Sequence, residues 1–198
     1  MSRKFLFTGF KPYSRFKHNP SEKLIKIISS NRTELEKEFG VKIFSHVLDV
    51  SYKESEKEIS ELIERVAPDF IVSFGMAPKA RKIMIERVAL NLDDCKRRDK
   101  SGEVRLGKEI VSLAPAAFFS QLPIQELLRT FLKEGISAEI SNHAGTYICN
   151  HVFYFAIYKT KSLGLKTKVG FIHLPKIVSK NTLLKIGKIC IDVCLKFS

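Results

Sequence analysis

Three residues far apart in this chain of 198 could work together as a thiol, an imidazole and a carboxylate: Cys149, His173 and Glu86. Cys149 lies in the stretch 140–160, which begins as the end of an apolar strand, turns at Ala144-Gly145 and continues as a helix. The spacing predicts Cys149 in the first turn of that helix. Unpaired backbone N–H groups and the positive end of the helix dipole favour a thiolate in such a place, and the thiolate is the nucleophilic form. A nucleophilic thiol also needs a base, and the base needs an orienting partner.

Among five histidines, His173 is the best candidate for the base, because it closes an apolar strand that Leu174-Pro175 stops. His143 and His151 flank the cysteine in sequence, but His151 follows it by two and so points to another side of the helix. Glu86 is the one carboxylate in the largely apolar run Ile83–Leu90, with Arg87 beside it. It is either an outward position on an edge strand or a buried carboxylate that must be paired. In the second case it would orient the imidazole and stabilise its charged form, as the acid of a triad does. Asp93-Asp94 is a weak signal for a divalent ion. Cys190 and Cys194, four apart in an apolar segment, read as core residues on one helix face. No metal or cofactor is expected.

The elements that must position these groups alternate. Residues 3–8 read as a buried strand, followed by an aromatic-rich loop over 9–20 and a helix with Ser21 as its N-cap. A second strand is expected at 41–47. Ser51 and Glu54 then have capping-box spacing before a helix that ends at Pro68. The continuous apolar run 69–75 predicts a central parallel strand. Residues 82–91 look extended, and 92–114 form a long polar and basic excursion. A helix opens at Pro123 and is stopped by Gly135. Strands at 138–141 and 168–175 and a helix over 179–197 complete the chain. This order predicts an α/β protein: a three-layer α/β/α sandwich with a twisted, mainly parallel central sheet, in one domain over 1–198. Sites in such sheets collect at the C-terminal ends of strands.

Bulk properties narrow the classes. The net charge of +13 comes from lysines and arginines spread over nearly every surface segment, with one cluster at Lys96, Arg97, Arg98 and Lys100. No aromatic-basic or zinc-finger pattern accompanies them, so no nucleic-acid partner is expected. No apolar run reaches the ~20 residues of a membrane span. The N-terminus lacks the apolar length and cleavage site of a signal peptide, and the cysteines lack a disulfide pattern. A cytoplasmic location is expected.

Five short motifs in order carry a resemblance. They are Thr8–Tyr13 with Asn19–Ser21, Glu86–Asn91, the segments 115–120 and 122–124, Ser141–His151, and Gly170–Pro175. Together they resemble the pyroglutamyl peptidase (pyrrolidone-carboxylate peptidase) family of cysteine peptidases over nearly the whole chain. The resemblance implies removal of an N-terminal pyroglutamyl residue from peptides, with Cys149 as nucleophile, His173 as base and then acid, and Glu86 as the orienting carboxylate. It also implies that Phe10, Tyr13, Tyr147 and Ile148 wall the pocket and that Asn19 bonds the substrate or holds the loop. Peptides with a blocked N-terminus are the expected partners, and a homodimer or homotetramer is the expected assembly.

The chain departs from the family pattern at recognition positions. Met76 stands where many members carry a glutamine that can bond the ring amide. Arg97 stands at an apolar pocket position, where it would favour an anionic group if it reached the pocket. Two alternatives follow: a related cysteine hydrolase with shifted specificity, or an idle family member acting as a binding protein.

Overall fold

The computed structural model describes residues 2–197. In chain order the elements are β1 (Lys4–Phe10), α1 (Pro20–Ser30), α2 (Arg32–Phe39), β2 (Lys42–Leu48), α3 (Tyr52–Val66), β3 (Phe70–Ala77), β4 (Ile83–Leu90) and β5 (Asp93–Cys95). They continue as β6 (Arg105–Lys108), β7 (Ala117–Phe119), α4 (Ile124–Lys133), β8 (Ala138–His143), α5 (Ile148–Ser162), β9 (Lys168–Pro175) and α6 (Lys180–Lys196).

The sheet runs β2-β1-β3-β9-β4-β7, with β8 paired to β4. The first four strands are parallel, and β3 lies between β1 and β9 as its continuous apolar run predicts. β4 is the exception, because it runs antiparallel to β9, with Met84 opposite His173 and Ile85 opposite Ile172. β8 is parallel to β4 and β7 antiparallel to it.

Period-two alternation divides the core between the two faces. Phe5, Phe7, Val72, Phe74, Ile83, Ile85, Ile172 and Leu174 pack towards Leu24 and Ile28 of α1, Leu127 and Phe131 of α4, and Ile186 and Cys190 of α6. Leu6, Ile71, Val169 and Phe171 pack on the other side, with Ile59 and Ile63 of α3 and Val152, Phe153 and Ala156 of α5. The same alternation assigns Gly75, Glu86 and His173 to the α5 face, where Cys149 begins its helix.

Local chemistry sets the helix starts. Ser51 caps α3 by accepting from the N–H of Glu54. At α1 the cap is Asn19 rather than Ser21: Pro20 occupies the first turn, and the Asn19 side chain accepts from the N–H of Ser21. Proline fits there because its missing N–H would have no helical partner. The excursion 92–114 contains the β5–β6 hairpin, held from within by buried Asp99, which accepts from the N–H groups of Tyr52 (2.9 Å) and Glu103 (2.8 Å). Helix α2 and strand β7 carry too little apolar periodicity to be read from sequence: α2 buries only Leu35.

Candidate active site

Cys149 is the second residue of α5. The helical ladder starts with the N–H of His151 donating to the carbonyl of Tyr147 at 3.0 Å, and no side chain caps this end. The N–H groups of Ile148, Cys149 and Asn150 therefore lie ahead of the ladder, where a helix is able to stabilise negative charge. Asn150 fixes the helix start. Its Oδ1 accepts from the N–H of Leu90 (2.9 Å), and its Nδ2 donates to the carbonyls of Leu90 (2.9 Å) and Leu92 (3.0 Å). The sequence had not marked Asn150 as important. An asparagine directly after the candidate nucleophile was the available signal.

His173 stands two residues before the end of β9, and its Nδ1 lies 2.7 Å from Oε1 of Glu86. The antiparallel register of β4 makes this contact, because Met84 lies opposite His173 and Glu86 sits diagonally beyond it on the same face. Glu86 is fully buried and His173 is 7% exposed. Burial by itself would push the imidazole down. The charge of Cys149 and the hydrogen bond to it, followed by Glu86, outweigh burial and raise His173 to about 10. The imidazole is thus held in its charged form at neutral pH.

Gly75 provides the room. A Cβ there would sit 2.9 Å from Sγ of Cys149, 2.9 Å from the Phe171 ring and 3.0 Å from Cδ2 of His173. The thiol and the imidazole therefore meet over a bare stretch of β3, where only glycine fits.

In front of Cys149 lies a cleft of about 510 Å³, including its open part. Phe10, Tyr13, Asn19, Met76, Tyr147 and Ile148 line it together with Cys149 and Arg97, so the positions singled out in sequence for a pocket converge on one place. Tyr147 donates its hydroxyl to the carbonyl of Arg98 at 2.9 Å, and the Tyr13 hydroxyl lies 2.8 Å from the carbonyls of both Arg98 and Asp99. Both rings are left as apolar walls. Burial, then the neighbouring Tyr13, pushes the Tyr147 phenol up, so it stays a neutral donor. The Asn19 amide is used within the loop, where its Nδ2 donates to the carbonyl of Lys11 at 3.3 Å while its Oδ1 caps α1. Arg97 is exposed at the mouth of the cleft, its guanidinium 5.5 Å from the centre of the Tyr147 ring.

The other candidates lie elsewhere. His151 is buried, with Nδ1 2.9 Å from Asp93 and Nε2 3.1 Å from Glu56. Asp93 also pairs with Arg105 at 2.9 Å, and Asp94 is exposed. Among the described residues no three metal-ligating side chains cluster. Cys190 and Cys194 are buried on α6, and burial pushes both thiols up, Cys194 to about 12.

A thiol at a helix start, an imidazole against it and a buried carboxylate behind the imidazole, on an α/β/α frame, have the layout of a thiol hydrolase. Residues 3–196 match the family model described as pyroglutamyl peptidase. A pyrrolidone-carboxylate peptidase of Thermosipho melanesiensis is 40% identical over 172 residues, covering 87% of this chain and 82% of the relative. Another from Pyrococcus furiosus is 35% identical over 185 residues, covering 93% and 86%. The solved pyroglutamyl peptidase I of Bacillus amyloliquefaciens superposes with a TM-score of 0.89 at 30% identity, covering 98% of this chain and 97% of that one. The chain belongs to the pyroglutamyl peptidase family.

Proposed function

We propose that the protein is a cysteine peptidase that removes an N-terminal pyroglutamyl residue from peptides. The observation that carries this reading is the Cys149–His173–Glu86 constellation opening onto an apolar-walled cleft. The thiolate of Cys149 attacks the carbonyl carbon of the pyroglutamyl residue. The unpaired N–H groups at the start of α5 receive the developing oxyanion, an interaction typically worth about 10²–10³ in rate per donor. His173, charged and held through Nδ1 by Glu86, gives a proton to the leaving amine as the C–N bond breaks. The neutral imidazole then takes a proton from water, the hydroxide adds to the thioester carbon, and the C–S bond breaks. Pyroglutamate leaves and the thiolate–imidazolium pair is restored. Glu86 keeps the ring in register through Nδ1.

The cleft suits a flat, uncharged ring. The two tyrosine rings and Phe10 offer apolar faces, and an N-terminal ammonium would lose its water there without a carboxylate to meet it. Met76 offers the ring amide no strong hydrogen bond. That lowers discrimination by about 1–2 kcal/mol relative to a bonding side chain. The whole chain is read as one domain. A cytoplasmic location and a homodimer or homotetramer belong to the same proposal. No described helix is long and apolar enough to cross a membrane.

The test is release of a fluorophore from a pyroglutamyl reporter peptide. Turnover is expected in the unaltered protein and only background in Cys149→Ala. An unaltered protein that fails to cleave the reporter would leave the binding-protein reading in place.

A further inference from the structure

A second cleft adjoins the first and is lined by three cations without ion pairs among the described residues, Arg15, Lys79 and Arg97. The two share Phe16, Pro78 and Arg97 as walls. The second cleft adds Arg15 and Lys79, and also Met84, the residue paired across the sheet with His173. Its lining carboxylate, Glu139, is occupied by Lys82 at 3.2 Å. Arg15 and Arg97 each lie over an aromatic ring, at 5.4 Å from the centre of Phe16 and 5.5 Å from that of Tyr147, and both are exposed. Among the described residues none of Arg15, Lys79 and Arg97 is ion-paired. Three cations thus line an open cleft whose one carboxylate, Glu139, is already paired with Lys82.

The position of this cleft relative to the chemistry decides what would fill it. The acyl part of the substrate lies in the aromatic pocket. The leaving amine must face His173, which protonates it, so the peptide beyond the scissile bond leaves on the side of His173 and its register partner Met84. That side is the cationic cleft.

We propose that the Arg15–Lys79–Arg97 cleft is a subsite for acidic side chains on the leaving side of the scissile bond, so that pyroglutamyl peptides continuing with Asp or Glu are the preferred substrates. The proposal rests on the pyroglutamyl reading above. It assigns Arg97 to the leaving peptide rather than to the ring, in keeping with its place at the mouth. Guanidinium groups resting on aromatic faces keep their outward N–H donors free for a carboxylate. Exposed charges act through screened solvent, so the preference must weaken with salt.

The experiment compares kcat/KM for three peptides that differ only in the residue after pyroglutamate: Glu, Ala or Lys. At low ionic strength the Glu peptide is expected to exceed the Ala peptide by about tenfold, with the Lys peptide below both. The Glu-to-Ala ratio is expected to approach one in 0.5 M salt (about a 4 Å screening length) and in the Arg15→Ala/Lys79→Ala/Arg97→Ala variant. Equal turnover of all three peptides overturns the proposal alone. So does an acidic preference that survives both salt and the triple variant. No turnover of any of the three overturns the pyroglutamyl reading and the proposal with it.

Discussion

Two imidazoles in this molecule rest on buried carboxylates, and only one of them is built to react. His173 gives Nδ1 to Glu86 and meets Cys149 over Gly75. His151, two residues beyond that cysteine, has both nitrogens taken, by Asp93 and Glu56. Asp93 is shared with Arg105, whose guanidinium covers the Tyr52 ring at 4.4 Å, and Tyr52 packs edge-on against His151. In both cases burial opposes the charged ring and its anionic neighbours outweigh it, so both pKa values are raised. The titration direction therefore does not separate them. The separation is one of valence: a proton carrier needs one nitrogen held and one free, whereas a structural ion pair satisfies both. His151 ties α5 to α3 and to the β5–β6 hairpin, and so supports the helix whose first turn carries the thiol.

The largest expected effect tests this division directly. His173→Ala should lower kcat by about 10³-fold or more, since it removes both proton transfers. His151→Ala should leave kcat of the folded protein within a few-fold. It should lower unfolding stability by about 3 kcal/mol, because buried Asp93 keeps only Arg105 as its ionic partner and a fully buried ring is lost. Denaturant unfolding together with reporter turnover measures both. If His151→Ala is as inactive as His173→Ala while fully stable, the distinction collapses.

A smaller effect sharpens the same contrast. Gly75→Ala puts a methyl group 2.9 Å from Sγ of Cys149 and 3.0 Å from the His173 ring. The two side chains must part by several tenths of an ångström. We expect kcat to fall by about 10²-fold, as sub-ångström misplacement of reacting groups does, with KM little changed. None of the nearest atoms that a Cβ at Gly75 would meet belongs to the His151 cluster. The Phe171 ring also crowds it at 2.9 Å, so the melting temperature should fall by no more than overpacking accounts for, about 1–3 kcal/mol of stability. Unchanged turnover would mean that thiol and ring need no such closeness.

The smallest effect is on pH dependence. His173 titrates near 6.5 in the unfolded chain and about 10 when folded. A raised pKa contributes stability that is complete below the unfolded value and is lost as pH climbs through the folded one. The melting-temperature gap between the unaltered protein and His173→Gln should therefore be widest below pH 6.5 and close towards pH 10. Thermal melts at pH 6, 8 and 10 read it. A gap independent of pH would show that the ring is not held charged.

Much of this arrangement was legible in the sequence, and the physical reasons for the remainder are specific. Alternation along β1, β3 and β9 fixes which side of the sheet each residue meets, so His173 and Gly75 fall on the α5 face as periodicity requires. Serine capping at Ser51 is a local rule and held. At α1 two adjacent candidates competed, and Pro20 moved the cap back to Asn19, because proline takes the first turn. The antiparallel entry of β4 was not legible, since strand direction is decided by long-range pairing and leaves no mark in a short apolar run. Hence Glu86 could be flagged only as either exposed or paired. His151 was dismissed as a base on helical geometry, correctly in direction. Its ion pairs stayed invisible because Glu56, Asp93 and Arg105 come from three separate elements. Gly75 carried no signal of its own, as close approach is a property of the neighbours.

The two tyrosine walls have one more consequence. Their hydroxyls are fastened to main-chain carbonyls of Arg98 and Asp99, not to side chains. Every residue carries a carbonyl, so the latch is indifferent to which side chains occupy 96–98. That stretch can change its charge while the ring pocket keeps its shape and the strands keep the chemistry. Natural variation can therefore retune which peptides approach without rebuilding the place where they are cut, and Arg97 stands where such retuning costs the fold least.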